Sequence, residues 1–216
     1  GPVHSKGYQA VIGYLVSNGA ELNVKNNQGN TPLLIAYDEY SKEYSEDARD
    51  RYLSVMRFLI DKGADPNAKW KDGSSILWKE ARSENREFFR YLLAKGADLD
   101  MKGHNDYTLL LAAVDAGEEA MAREFLEMGA DVNARNADGQ TGLMLAINNR
   151  EHELARIIIG KGADVNIRDN NGQTAIMMAA DKQAWDLVES LVDMGADVNA
   201  ADKDGNTVLH LAATGE

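Results

Sequence analysis

The chain has 216 residues, of which 44% are hydrophobic and 27% charged, with no Cys and a formal net charge of −12. This composition is that of a globular protein, and the absence of Cys excludes disulfides, thiolate metal sites and Cys nucleophiles. The acidic balance argues against a nucleic-acid partner, because affinity for nucleic acid comes largely from Lys and Arg. No apolar run reaches the roughly 18 residues of a membrane-spanning helix, so we expect no membrane insertion.

The first residues differ in character from the rest of the chain. Gly1 and Pro2 are typical of the residues that an engineered protease site leaves behind. Residues 1–7 are therefore interpreted as a tail that is partly tag-derived. Because a native leader could have been removed with it, the compartment stays open between the cytoplasm and an exported or periplasmic location.

One five-residue motif returns along the whole chain: Gly, Ala, an acidic residue, Leu, Val or Pro, and then Asn or Asp. Its glycines are Gly19, Gly63, Gly96, Gly129, Gly162 and Gly195. They are separated by 44, 33, 33, 33 and 33 positions, so the period is 33 with one insertion of 11 residues. A period held over five intervals predicts an array of similar modules.

A second motif keeps the same phase: a turn Gly, one polar residue, Thr and a short apolar run. It occurs at Gly29, Gly139, Gly172 and Gly205, with looser copies at Gly73 and Asp106. The Thr can cap a helix by accepting a backbone N–H bond, and small residues such as Ala146 and Ala179 allow close helix approach. A second helix then ends at the Gly of the first motif, since Gly tolerates a left-handed cap.

Together the two motifs resemble the ankyrin repeat. The copy from Thr207 to Ala213, TVLHLAA, is nearest to the family signature TPLHxAA. The resemblance covers residues 8–216 and implies an all-α fold, an ankyrin-repeat solenoid of stacked helix pairs joined by β-turn or hairpin loops. It also implies a non-catalytic module that binds a protein partner through its turn tips and its concave first-helix face.

The period divides the chain into half repeats and complete repeats. We predict an N-terminal half repeat at 8–26, a repeat with the insertion at 27–70, repeats at 71–103, 104–136, 137–169 and 170–202, and a C-terminal half repeat at 203–216. Stability is expected to depend on the interfaces between neighbouring modules and on the two ends. The half repeats are either natural caps or parts of a longer array.

The insertion, at about 37–51, separates the two helices of its module and is rich in acidic residues and Tyr. Eleven residues are close to three helical turns, so it can lengthen a helix without rotating the apolar face. It is either a solvated extension or a contact with a basic partner, for which Tyr40, Glu43 and Tyr44 are the candidates.

We expect no enzymatic activity, no cofactor and no metal site. The chain's histidines, His4, His104, His152 and His210, form no ligand spacing, and no hydrolase or nucleotide-binding motif occurs in a suitable context. The acidic residues Asp131, Asp164 and Asp197 recur with the period and are interpreted as turn residues.

Basic residues precede five of the turns, and stacking would align them along one side of the array. They are Lys25, Lys69, Lys102, Arg135 and Arg168. They are either solvated positions that are common in the family or a positive stripe that orients an acidic partner.

Departures from the family pattern mark the candidate partner-binding site. Trp70 stands where a turn Asp is usual, Glu80 where a small Ala is usual, and Tyr107 at the exposed position before Thr108. We predict partner binding at Lys69, Trp70, Lys71, Trp78, His104, Tyr107 and Arg135, because aromatics flanked by Lys are typical of interface hot spots. The alternatives are that Trp70 folds back over its own turn and that Trp78 is core. Trp185 is expected to be core.

The predicted function is that of a monomeric protein-binding module, acting as a scaffold or as an enzyme inhibitor such as an immunity protein. The diverged signature and the absence of Cys favour a bacterial origin. The alternative is the targeting region of a larger enzyme or effector whose catalytic domain lies outside these 216 residues.

Overall fold

The computed structural model describes residues 2–83 and 86–214, with side chains at 7–83 and 86–213. The side chain of His4 therefore lies outside the described set. The described residues contain twelve α-helices and one 3-10 helix. The chain divides into two compact units, Gly1–Asp98 and Leu99–Glu216, which are considered separately.

The first unit contains helices α1 to α5. They are Pro2–Ser17, Pro32–Lys42, Glu46–Asp61, Ile76–Glu80 and Arg86–Ala94. Helices α2 and α3 pack as one pair and α4 and α5 as another, while α1 packs on α3. Helix α1 begins inside the predicted tail, since Pro is well suited to the first position of a helix.

The second unit contains the 3-10 helix His104–Asp106 and helices α6 to α12. The α-helices are Leu109–Asp115, Glu119–Glu127, Gly142–Asn148, His152–Gly160, Ala175–Asp181, Trp185–Asp193 and Val208–Thr214. Helices α6, α8, α10 and α12, the first helices of their modules, stack on one another, and α6, α8 and α10 each pack on their own second helix. These are the helix pairs that the repeat predicted.

The insertion lengthens both helices of its module. Helix α2 has 11 residues and α3 has 16, where α10 and α11 have 7 and 9. The four extra residues of α2 and the seven of α3 account for all 11 inserted positions. Four and seven residues are close to one and two helical turns, so both apolar faces keep their orientation.

In each complete module, the predicted cap residue directly precedes the first helix. The hydroxyls of Thr31, Ser75, Thr108 and Thr141 accept a hydrogen bond from the backbone N–H three residues later. The hydroxyl of Thr174 holds the same position and has no hydrogen-bond partner among the described residues. Replacing such a cap with Ala typically costs about 1 kcal/mol of stability.

A recurring hydrogen bond joins neighbouring modules. The last residue of the five-residue motif accepts, through its side-chain oxygen, the backbone N–H of the acidic residue in the next copy of that motif. The donor and acceptor pairs are Asp65 and Asn23, Asp98 and Asn67, Asp131 and Asp100, Asp164 and Asn133, and Asp197 and Asn166, at 2.8–2.9 Å. The need for this acceptor explains why the motif ends in Asn or Asp.

The motif's acidic residues also shape their own turns. The carboxylates of Asp131, Asp164 and Asp197 accept the backbone N–H two residues later. Their interpretation as turn residues is confirmed by this geometry.

The prediction that Trp185 belongs to the core is wrong. Its side chain is 47% exposed at the first position of α11. The buried face of α11 is set by Leu187 and Leu191. Trp185 precedes Leu187 by two residues, about 200° around the helix, so it points away from that face.

Substitutions at two glycines of the second unit allow the stability cost of backbone strain to be compared with that of steric crowding. Gly139 and Gly129 have φ values of +78° and +89°. A Cβ at Gly139 would lie 2.6 Å from Asn170 Oδ1 and 3.0 Å from its backbone N, whereas a Cβ at Gly129 has no described atom within 4 Å.

We therefore expect Gly129→Ala to lower the free energy of unfolding by about 1 kcal/mol, the cost of a left-handed alanine. Gly139→Ala should cost more, because the turn of the neighbouring module must shift. Chemical denaturation of both variants measures the difference. Equal losses of stability would contradict this account of the Gly139 turn.

Candidate partner-binding surfaces

In the first unit, Trp70 packs on the first helix of the preceding module. Its ring meets the ring of Tyr37 edge-on, with 5.6 Å between centroids, and its Nε1–H donates to Asp38 Oδ2 at 3.2 Å. The ammonium of Lys79 lies 4.4 Å from the centroid of the Trp70 ring. Trp70 is therefore half-buried and connects two modules, rather than folding over its own turn.

Trp70 replaces a residue that stabilises the turn in other modules. At the equivalent positions, Asn26, Asn136, Asp169 and Asp202 accept the backbone N–H groups two and four residues later. In the Trp70 turn, Asp72 takes over by accepting the backbone N–H and the hydroxyl of Ser74. These bonds lower the pKa of Asp72. The turn is thus maintained while the indole packs elsewhere.

The other residues of the first unit that are predicted to bind a partner lie close to Trp70 in the sequence. Lys71 is exposed and Lys69 is half-buried, with its backbone in a bridge to Ser75. Trp78 is half-buried on α4, at a position where the other modules bury a smaller side chain: Leu34, Leu111, Met144 and Met177. Trp78 therefore combines a core position with a partly accessible ring.

In the second unit, His104 and Tyr107 lie at a turn that departs from the repeat. Asn105 and Asp106 adopt φ values of +53° and +58°, in the left-handed region, and the residue equivalent to Asp106 in the other complete modules is Gly. His104 is exposed. The half-buried Tyr107 donates its hydroxyl to Asp115 Oδ2 at 3.4 Å, and burial raises its pKa.

The basic residues of the second unit connect successive modules. Lys102 donates to the carbonyl of Arg135 at 3.1 Å, Arg135 donates to the carbonyl of Arg168 at 2.9 Å, and Arg168 donates to the carbonyl of Ala201. Arg135 also donates from Nε to the carbonyl of Gly139 at 2.9 Å. These side chains remain exposed, so they join neighbouring turns while presenting charge to solvent.

The three candidate contact residues of the insertion differ in how far they are exposed. Tyr40 is buried, its ring lies 4.8 Å from the guanidinium of Arg49, and its hydroxyl accepts from Arg49 Nη2 at 3.1 Å. Tyr40 is therefore a core residue and not a surface contact. Glu43 accepts the backbone N–H groups of Tyr44 and Ser45, whereas Tyr44 is 98% exposed.

Comparison with known proteins agrees with the repeat geometry. The family described as ankyrin repeats, in three copies, matches residues 45–136 and 143–216. The chain belongs to the ankyrin-repeat family. The all-α ankyrin solenoid predicted from the two motifs is confirmed by this match and by the helices. A search of curated proteins gave no match.

Ankyrin repeats are protein–protein interaction modules, and this ankyrin array shares that general function. None of its described helices is long and apolar enough to cross a membrane. Within the described residues, no group of three or more His, Asp or Glu side chains could hold a metal ion.

Beneath Trp70 the array buries a carboxylate where a small Ala is usual. Glu80 is 3% exposed, and its Oε1 accepts the hydroxyl of Tyr37 at 2.8 Å. Its Oε2 has no hydrogen-bond partner among the described residues. Burial raises the pKa of Glu80, although the Tyr37 hydrogen bond and the charge of Arg49 oppose the increase. The carboxylate fixes Tyr37, whose ring in turn supports Trp70.

In the sequence, the only indication of this buried carboxylate is Glu80 itself, an acidic residue at a position where a small residue is usual. Its connection to Trp70 could not be found from the sequence, because Tyr37 precedes Glu80 by 43 residues, across the insertion.

Glu80→Gln should raise the free energy of unfolding at pH 7. The substitution keeps an acceptor for the Tyr37 hydroxyl and removes a buried charge. Since the pKa of Glu80 is raised above its usual 4.5 in the folded state, the folded protein binds this proton more tightly than the unfolded chain. Wild-type stability therefore contains a contribution that is lost as the pH rises from about 4.5 through the folded pKa.

Urea denaturation at several pH values tests this expectation. Glu80→Gln should lose less stability than wild type across that pH window, while the exposed control Glu189→Gln should follow wild type. The opposite result, a Glu80→Gln variant that is less stable than wild type at pH 7 and lacks a gain in stability that wild type shows as the pH rises through about 4.5, would show that the carboxylate charge stabilises the fold.

Proposed function

We propose that this ankyrin array binds a protein partner through its turn tips and first-helix face, with Trp70 as the main anchor of the first unit. The supporting observation is that Trp70 is held before any partner arrives, by Tyr37, Asp38 and the stacked Lys79. A rigid aromatic side chain loses little conformational entropy on binding, so more of its contact energy becomes affinity.

The surroundings of Trp70 favour a partner with an acidic surface. Lys69, Lys71 and Lys79 lie at or beside this turn in a chain whose net charge is −12. Two acidic side chains lie nearby: Asp38 accepts from the indole, and Asp72 accepts from Ser74. Such a local basic surface would orient an acidic partner during association.

The second unit supplies its own proposed contacts, His104, Tyr107 and Arg135. His104 and Arg135 are exposed, and Tyr107 offers part of its ring. Arg135 would contact a partner while keeping its bonds to Arg168 and Gly139. A secondary contact is proposed at Tyr44 and Glu43, at the turn between α2 and α3.

Two uses of such binding are proposed. An inhibitor or immunity protein would cover the active site of the enzyme that it binds, and a rigid aromatic anchor supports tight occlusion of this kind. A targeting region would instead leave the activity of its partner unchanged. Assaying the captured partner with and without this protein distinguishes the two uses.

The array contains a matched control for the proposed anchor, because Trp185 is also a partly exposed Trp but lies on a second helix. Truncation of a hot-spot residue costs roughly 2 kcal/mol or more, so Trp70→Ala should weaken partner binding on the order of 30-fold. Lys71→Glu should also weaken binding, and Trp185→Ala should leave it unchanged. Partners are captured by quantitative pull-down, and affinities are then measured by calorimetry.

Trp70→Ala also removes packing on Tyr37, so its thermal stability is measured alongside affinity. Lys71→Glu changes an exposed side chain whose stem lies near Gly29, so its thermal stability is measured as well. If Trp185→Ala weakens binding and both Trp70→Ala and Lys71→Glu leave it intact, the binding surface lies on the second helices.

A further inference from the structure

The second helices of the first unit carry a repeated pattern of an arginine, an aromatic residue and, four positions after the aromatic, a lysine. The members are Arg57, Phe58 and Lys62 on α3 and at its end, and Arg90, Tyr91 and Lys95 on α5 and directly after it. The second set follows the first by the 33-residue period. At the aromatic position the next three second helices have Glu124, Ile157 and Ser190. The aromatic residues therefore distinguish the first unit from the rest of the array.

These stretches also differ in charge from their equivalents in the second unit. Residues 53–62 and 86–95 contain five basic and two acidic residues, a net charge of +3. The equivalent residues 119–128, 152–161 and 185–194 contain three basic and seven acidic residues, a net charge of −4. The second helices of the first unit thus carry a local excess of positive charge in a chain whose total charge is −12.

The aromatic rings hold cationic side chains against their faces. The ammonium of Lys62 lies 5.4 Å from the centroid of the Phe58 ring. The Tyr91 centroid lies 5.6 Å from the ammonium of Lys95 and 4.9 Å from the guanidinium carbon of Arg57. A cation is attracted to the face of an aromatic ring, which restricts its motion. These positive charges are therefore positioned before any partner arrives.

Both acidic residues of these stretches are paired across α3 and α5. Asp61 lies 2.7 Å from the ammonium of Lys95 and accepts the hydroxyl of Tyr91 at 2.9 Å. These hydrogen bonds from Lys95 and Tyr91 lower the pKa of Asp61, so its carboxylate stays ionised. Glu87 lies 2.7 Å from the guanidinium of Arg57. The two carboxylates therefore order Lys95 and Arg57 and leave the remaining cations unneutralised.

Two cations of these helices have no ion-pair partner among the described residues. They are Lys62, at the end of α3, and Arg90, on α5. Both side chains are exposed. They are therefore available to the carboxylates of another molecule.

We propose that these residues form a second protein-binding surface, which takes an acidic segment of a protein partner. The α3–α5 surface consists of Phe58, Lys62, Arg90, Tyr91 and Lys95. Charge complementarity supports this occupant, since a positive surface both attracts and orients an acidic one. The half-buried rings add apolar contact area between the charges.

The distribution of charge favours a protein segment over a nucleic acid. Asp61 and Glu87 lie among the cations, so the surface is positive only in places. Carboxylates at matching positions along a peptide can reach Lys62 and Arg90 and avoid these two acids. A nucleic acid carries a charge on every phosphate and would meet the two acids and the net charge of −12.

The α3–α5 surface is separate from the contact proposed at Trp70. It lies on second helices, whereas Trp70 lies at a turn and packs on the first helix α2. One partner could use both surfaces, and two partners could use one each. The experiment therefore has to measure the α3–α5 surface by itself.

The test uses the 216-residue protein and two labelled probes, a peptide made of Glu and Leu and an oligothymidylate of the same net charge. Fluorescence anisotropy measures the affinities, and amide NMR shifts locate the bound peptide on the wild-type protein. The peptide should bind more tightly than the oligothymidylate and should shift the amides of residues 57–62 and 90–95. This part of the test needs no variant.

Three double variants with the same change in net charge locate the binding by energy. Lys62→Glu with Arg90→Glu should weaken the peptide about tenfold, because two favourable pairs become repulsive. Lys161→Glu with Lys203→Glu is the matched control, since Lys161 is the equivalent of Lys62 in the second unit. Lys71→Glu with Lys79→Glu makes the same change beside Trp70. Both of these variants should stay close to the wild-type affinity.

Circular dichroism verifies that the variants are folded, which the exposure of all six lysine and arginine side chains favours. Equal losses of affinity in the three variants would reduce the effect to net charge and overturn the proposal. A loss confined to the variant beside Trp70, an oligothymidylate that binds as tightly as the peptide, or no peptide binding up to about 1 mM would overturn it too. The anchor role of Trp70 is tested separately by Trp70→Ala, so neither result decides the other.

Discussion

The packing of each helix pair on its neighbour determines the rest of this structure, because no single module has a core of its own. The hydrogen bond from the acidic residue of one motif to the Asn or Asp of the previous motif fixes the register of that packing. An insertion that did not add whole helical turns would misalign the apolar faces. The 11-residue insertion adds close to one turn to one helix and two turns to the other, and the bond from Asp65 to Asn23 across it is kept.

A strict period also shows where the pattern is broken, and the clearest break is the group of Glu80, Tyr37 and Trp70. Burial of the carboxylate raises the pKa of Glu80, so holding it ionised costs folding free energy. In return the carboxylate positions Tyr37 against a tryptophan that is half-buried at a turn. In the binding role that we propose for Trp70, this buried charge fixes the partly exposed ring that contacts the partner.

Local patterns in the sequence predicted the helices, their caps and the turn residues, because these depend on neighbours a few positions away. Features that depend on contacts a full period away could not be predicted. Arg135 reaches the carbonyl of Arg168, 33 residues on. The burial of Tyr40 has another origin, because Arg49 contacts its ring from the next helix, and that contact depends on how the insertion is divided between α2 and α3. Trp185 is exposed for a local reason: it lies about 200° around α11 from Leu187, and an apolar residue type alone does not indicate that rotation.

Hydrogen exchange in dilute solution tests the central claim, that neighbour packing sets local stability, most directly. Helix α8 packs between α6 and α10 and also against α9, whereas α12 packs on α10. The amides of residues 208–213 should therefore exchange fastest among the first helices of the second unit, and those of α8 should exchange slowest. Equal protection of α12 and α8 would contradict the account, because it would show that the second unit unfolds as one cooperative body regardless of its neighbours.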